Sequence, residues 1–164
     1  MAKTDLTAQR LRELLSYDPD TGFFEWHNVT GRKLAGAFPG CLTPSGYRNI
    51  GIDYCIYPAH HLAWLYMHGT LPVKFIDHLN GSRSDNRISN LRPADYVINN
   101  QNRRAAACNN PTRLLGVGRR LDGKYIARIM ARGEKHFLGV FDSAELAHET
   151  YLKAKRRLHE ACTI

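Results

Sequence analysis

The 164-residue chain is short of cysteine pairs, long apolar runs and acidic residues, and each shortage excludes something. Its four cysteines, Cys41, Cys55, Cys108 and Cys162, include no C-x-x-C pair. Structural zinc sites draw on closely spaced pairs, so neither a zinc ribbon nor a disulfide framework is expected. The longest apolar run, residues 62–67, falls far short of the roughly 20 residues that a membrane span needs. The opening MAKTDLTAQRLREL has no apolar signal core and no lipidation pattern. A soluble, cytoplasmic protein without a membrane partner is the expectation, with one large domain or two to three small ones.

The acidic shortfall is local. Residues 1–102 hold 10 Lys/Arg and 9 Asp/Glu, whereas residues 103–164 hold 13 Lys/Arg and 6 Asp/Glu. A net of +7 on the last third favours a polyanionic partner, nucleic acid before an acidic membrane.

What is present reads as α+β. Leucines at 6, 11, 14 and 15 predict a short amphipathic helix over residues 6–16. Asp18-Pro19-Asp20-Thr21-Gly22 predicts a turn, and residues 23–26 an aromatic strand. Residues 31–46 are rich in Gly and Pro and read as loops. Two short strands follow at 47–52 and 54–57, then a helix at 59–68 stopped by Gly69. A strand at 74–77, a polar loop, a strand at 90–94 and a helix at 95–104 make the next unit. Residues 105–113 read as a linker.

Beyond it, strands at 114–120, 124–132 and 135–141 precede a helix at 143–160. Strand 124–132 alternates cleanly, with Tyr125, Ala127, Ile129 and Ala131 on one face. Asp142 with Glu145 is spaced as a capping box, and Phe141 with Leu146 as a hydrophobic staple. Ala144, Ala147, Tyr151, Ala154 and Leu158 form one apolar stripe. A three-stranded sheet backed by one helix is predicted.

The chemistry concentrates in residues 76–102, IDHLNGSRSDNRISNLRPADYVINNQN. Hydrolysing a phosphodiester needs an activated water, a cation against the developing charge, and help for the leaving oxygen. Asp77 offers a hard oxygen ligand, and His78, neutral near pH 7, can take a proton from water. Neighbours on a strand point to opposite sides, but a twist at the strand end can turn both toward one pocket.

Asp77-His78, Asn90 twelve residues after the histidine and Asn99 nine further on resemble the HNH (ββα-metal) nuclease motif. The frame AHHLAWLYMHG…VKFIDHLNGSRSDNRISNLR…NNQN is similar to phage-borne HNH endonucleases, including homing enzymes. The resemblance covers about residues 18–102. It implies an endonuclease domain over 1–104, with a platform (1–70) and a ββα-metal core (71–104). It implies His78 as general base, Asp77 and Asn99 as metal ligands, and Asn90 as the central brace that orients His78. Many relatives carry histidine where Asn99 stands; an amide oxygen favours Mg²⁺ or Mn²⁺ over Zn²⁺. Asn100 and Asn102 stay open as alternatives to Asn99. Asn86 is expected to support the loop. His60 recurs in such relatives, touching the site or DNA, or else packing and capping. Arg83, Arg87 and Arg92 either bind phosphate or cap the loop.

GVGRRLDGKYIARI…LGVFDSAELAHETY resembles an AP2 domain over about residues 112–160, placing a DNA-binding module at 114–164. In that family the exposed sheet face enters the major groove. The outward Arg120, Arg128, Lys135 and Phe137 suit phosphates or base edges. Gly118, Asp122 and Met130 stand where plant members carry Arg or Trp, so no target sequence transfers. A metal-dependent endonuclease on double-stranded DNA, monomeric or weakly dimeric, is the expectation. A non-catalytic DNA-binding regulator and an RNA-directed nuclease are the competing readings.

Overall fold

The computed structural model describes residues 6–27, 38–159 and 162. The chain divides into two compact units, Met1–Asp95 and Tyr96–Ile164. Among the described residues no helix is long and apolar enough to cross a membrane.

The first unit opens with α1 (Ala8–Leu14), where the Thr7 hydroxyl caps the Arg10 N–H at 3.1 Å. The helix is shorter than the leucine spacing suggests. Leu15 turns extended (φ −135°) and starts β1 (Leu15–Tyr17), which pairs antiparallel with β2 (Phe24–Trp26). Pairing with Trp26 buries Leu15 completely, and that tertiary gain overrides its helical position.

A three-stranded antiparallel sheet follows, made of β3 (Cys41–Leu42), β4 (Arg48–Ile52) and β5 (Cys55–Pro58). The β4–β5 turn takes positive φ at both Asp53 (46°) and Tyr54 (65°), the primed geometry that matches strand twist. Helix α2 (Ala59–His68) starts at Pro58 and ends at Gly69 in the left-handed region, φ 78°. It buries Leu62, Ala63 and Leu65 against Leu11, Leu15, Ile50 and Ile52. Each such aliphatic side chain contributes roughly 1.5–3 kcal/mol by burial.

The last hairpin of this unit carries the Asp-His pair. Strand β6 (Phe75–His78) pairs antiparallel with β7 (Leu91–Ala94), in the register Asp77↔Arg92 and His78↔Leu91. Residues 79–90 loop between them and close in a 3-10 turn, Ile88–Asn90.

The second unit begins with α3 (Tyr96–Gln101), shorter than the helix expected over 95–104. The unit boundary thus falls before α3, whereas the sequence places a linker at 105–113. The end of that stretch is itself a folded turn: the Asn110 amide donates to the Leu114 and Val117 carbonyls at 3.1 Å each.

Strands β8 (Val117–Arg119), β9 (Tyr125–Ala131) and β10 (Glu134–Phe141) form an antiparallel sheet with β9 in the middle. Arg120 lies just past β8. Ala127, Ile129 and Ala131 are buried, as the alternation predicts, and α4 (Ala144–Leu158) covers that face with Ala147, Tyr151 and Ala154. The cap of α4 corrects the sequence reading. Ser143, one residue later than Asp142, accepts the Leu146 N–H at 3.1 Å. Asp142 instead pairs with Lys124 at 3.1 Å, and Leu146 is 55% exposed.

Gly116 (φ 77°) lies against the Tyr151 ring, where an added Cβ would stand 1.9 Å from Cδ2. Gly123 (φ 83°) has no neighbour within 4 Å of such a Cβ. Gly123→Ala is therefore expected to cost about 1 kcal/mol of backbone strain alone. Gly116→Ala adds overpacking of a further 1–3 kcal/mol or so. Urea unfolding of the two variants, side by side, checks the difference.

Candidate functional site

Strand β6 delivers Asp77 and His78 to the start of a loop that folds on itself. The Asn90 side chain closes that loop: its Oδ1 accepts the Asn80 N–H at 2.9 Å and its Nδ2 donates to the Asp85 carbonyl at 2.8 Å. Pairing continues one step past the strands, with Leu79 N–H donating to the Asn90 carbonyl at 2.9 Å. The Asp85 carboxylate accepts from Asn80 Nδ2 (2.6 Å) and from Arg87 through Nε (2.8 Å) and a terminal nitrogen (2.6 Å). The Arg87 bonds pull the Asp85 pKa down to about 2. Arg87 thus fastens the loop in this structure.

Asp77 and His78 are both buried and meet different neighbours. On one side the Arg92 guanidinium donates twice to Asp77 Oδ2, at 3.1 and 2.8 Å. On the other, His78 sits in an aromatic cluster. Its ring centroid lies 5.0 Å from that of His60 and 5.9 Å from that of Tyr47, and His60 meets His61 at 4.6 Å. Arg83 covers this cluster: its guanidinium lies 5.0 Å above the Tyr47 ring and donates to the Ser45 carbonyl at 2.9 Å.

Burial lowers the His78 pKa, against the opposing hydrogen bond from Asn86 and the charges of Asp77 and Asp85. The imidazole is therefore the neutral base near pH 7 that a proton acceptor requires. Burial also drives His60 down, to about 3, with His61 and His78 adding to the effect. His61 is half-buried with its pKa lowered by burial.

Two residues reach this site from sequence positions that gave no warning. Tyr17, on β1, donates its hydroxyl to the Asn86 carbonyl at 2.7 Å. Gly22, in the β1–β2 turn, backs so closely on the loop that a Cβ would stand 2.4 Å from Arg87 N. Asn86 is 2% exposed, and its Oδ1 lies 3.4 Å from His78 Nε2. The sole sequence signal was the turn chemistry of residues 18–22, which identifies a turn but not its partner.

Asn99 stands exposed on α3, in the second unit, between Ile98 and Asn100. Among the described residues no group of three or more His, Cys, Asp or Glu could hold a metal.

The neutral, buried His60 makes stability depend on pH with a definite sign. Between pH 6.5 and about 3 the unfolded chain binds more protons at His60 than the folded one. Stability is therefore full above pH 6.5 and is lost as pH falls toward 3. The loss from His60 alone is about 2 kcal/mol at pH 5. Thermal unfolding at pH 7.5 and pH 5 should show a smaller acid-induced drop for His60→Phe than for the wild type.

Residues 57–101 match the family model described as HNH endonuclease. That segment runs from the end of β5 through α2 and the Asp77–Asn90 loop to the last residue of α3. No curated protein and no solved structure matches the chain. The matched segment, with the Asp-His pair and its braced loop inside it, supports a nuclease of the HNH type.

Proposed function

We propose that this chain is a metal-dependent DNA endonuclease that hydrolyses phosphodiester bonds at the Asp77–Asn90 loop, with its second unit gripping the duplex. The observation that carries the reading is a buried, neutral His78 held at the head of a loop that Asn90 closes, inside the matched segment. His78 takes the proton from the attacking water. Asn90 keeps the loop in the shape that presents His78, and Arg92 holds the Asp77 carboxylate in place.

HNH nucleases generally use a divalent cation. Asp77 would hold it here, with Mg²⁺ or Mn²⁺ matching a hard carboxylate oxygen. When bound, the ion supplies positive charge against the developing phosphorane and the leaving oxygen. Arg83 and Arg87 lie exposed on the loop, where a phosphate could also engage them.

The second unit supports DNA binding through the face of its sheet opposite α4. Arg128 and Phe137 are direct cross-strand partners on β9 and β10, as are Met130 and Lys135. All four are exposed, which sets cations beside apolar side chains on one surface. The AP2 resemblance implies that such a sheet face enters the major groove. Arg120, tied to Asp122 at 3.2 Å, borders that surface in sequence. A homing-type role rests on the resemblance of the frame around Asp77 to such enzymes. One site per monomer implies nicking; cutting both strands needs a dimer or two successive events.

Plasmid relaxation with Mg²⁺ or Mn²⁺ tests the chemistry. His78→Ala should lose on the order of 10²- to 10⁴-fold in kcat while retaining affinity for the plasmid. A wild type that binds DNA but never cleaves it with either metal would favour the non-catalytic regulator instead.

The sheet face is tested by salt titration of binding. Arg128→Ala with Lys135→Ala should weaken duplex affinity across unrelated sequences, and should flatten the log–log salt slope by roughly one unit for each phosphate that is no longer neutralised. An unchanged slope would remove this face from the interface.

A further inference from the structure

Strand β8 is too short to cover its neighbour. It pairs with β9 only at Tyr125–Ala127, after which the Arg128 N–H still reaches the Gly116 carbonyl at 3.1 Å. Past that point β9 has β10 on one side and, among the described residues, no strand on the other. Along this bare edge, wholly within the second unit, opens a cavity of about 360 Å³. That volume falls among small-molecule sites, which run from roughly 300 to 1,000 Å³.

The lining combines two characters. Leu115, Ile129 and the Tyr151 ring supply apolar surface, joined by the exposed Tyr96 ring of α3. Arg103, Arg128 and Arg132 supply three cations, and none of the described residues that line the cavity is a carboxylate. An anion with a flat apolar body suits such a lining. His159 lines it too: Nε2 donates to the Met130 carbonyl at 2.8 Å, and Nδ1 is buried with no hydrogen-bond partner among the described residues. Buried unpaired nitrogens are rare, and a ligand amino group is one partner that would complete this one. The wall beside Arg103 is fastened in place. Its carbonyl accepts from the ammonium of the buried Lys155, which ties the segment after α3 to α4.

We propose that this cavity holds a nucleotide of an unpaired DNA strand, its base against Tyr96, Leu115 and Ile129 and its phosphates on Arg103 and Arg132. Stacking covers the faces of a paired base, so a cavity of this size and lining takes a base only from an unstacked strand. Arg128 borders both this cavity and the sheet face proposed for the duplex. The assignment does not rest on the nuclease reading, because binding needs no cleavage.

The test uses the full chain without divalent metal, so that no strand is cut. A short deoxycytidine strand should shift the methyl signals of Leu115 and Ile129 in ¹H–¹³C spectra. Tyr96→Ala should weaken that binding about tenfold, the scale of one lost stacking contact, and leave affinity for a blunt duplex unchanged. Arg132→Asn suits the positive φ of 52° at that position and should flatten the salt slope of strand binding by roughly 0.7 unit. Leu115 and Ile129 signals that stay in place under saturating strand would overturn the proposal, and that measurement needs no variant. Equal losses of strand and duplex affinity in Tyr96→Ala would overturn it as well. Saturation by free deoxycytidine monophosphate at a lower concentration than by the strand would assign the cavity to free nucleotides instead. A wild type that binds the strand here but cleaves no plasmid with metal would sink the nuclease reading and leave this site standing.

Discussion

Two hydrogen bonds from one buried amide hold the candidate site together. A twelve-residue loop between paired strands has backbone donors and acceptors with no ladder to receive them, and leaving such groups buried and unpaired costs about 1–3 kcal/mol each. Asn90 offers an acceptor and a donor on one short, rigid side chain, and it uses both, on Asn80 and on Asp85. Asp85 relays the hold to Asn80 and Arg87 through its carboxylate. An aspartate at position 90 could replace the acceptor but not the donor, and a leucine neither. The side chains that face His78, from Asn86 to Arg83, depend on the shape this closure imposes.

The loop needs a floor as well as a clasp, and the floor comes from elsewhere in the first unit. Helix α2 brings His60 beneath His78, the start of β4 brings Tyr47, and the β1–β2 hairpin brings Tyr17 and Gly22. Packing of Leu11, Leu15, Leu62 and Ile50 into one core sets where those elements lie. The apolar core therefore acts on the chemistry at one remove. It helps bury His78, burial lowers its pKa, and an uncharged imidazole can accept a proton.

Much of this architecture could be read from spacing, and the failures have definite causes. Strand β9 was legible because alternation has period two and one of its faces is covered by a helix. Helix α2 was legible because Gly69 stops it in the left-handed region. Strand β1 was hidden because Leu15 satisfies a helical stripe and a strand equally well, and only its partner Trp26 decides. The α4 cap was misplaced because Asp142 and Ser143 are both good capping residues standing side by side, and the true third position is Leu146, not Glu145. At the site, motif spacing singled out Asp77, His78 and Asn90. Tyr17 and the ring of Tyr47 left no trace, since a contact across 69 residues has no sequence period.

The pairing of Asp77 with Arg92 bears on when such a site could work. Their register on β6 and β7 makes the contact unavoidable, and both guanidinium bonds fall on the same carboxylate oxygen. A guanidinium at 2.8 Å orients the carboxylate that a cation would use, and it would also repel that cation. With only one carboxylate proposed for the ion, protein donors alone would bind Mg²⁺ weakly, because it surrenders its water reluctantly. Substrate phosphate changes that balance. It would supply anionic oxygens of its own and give Arg92 a second anion to face. On the nuclease reading, the Arg92–Asp77 pair would keep the carboxylate oriented toward its task.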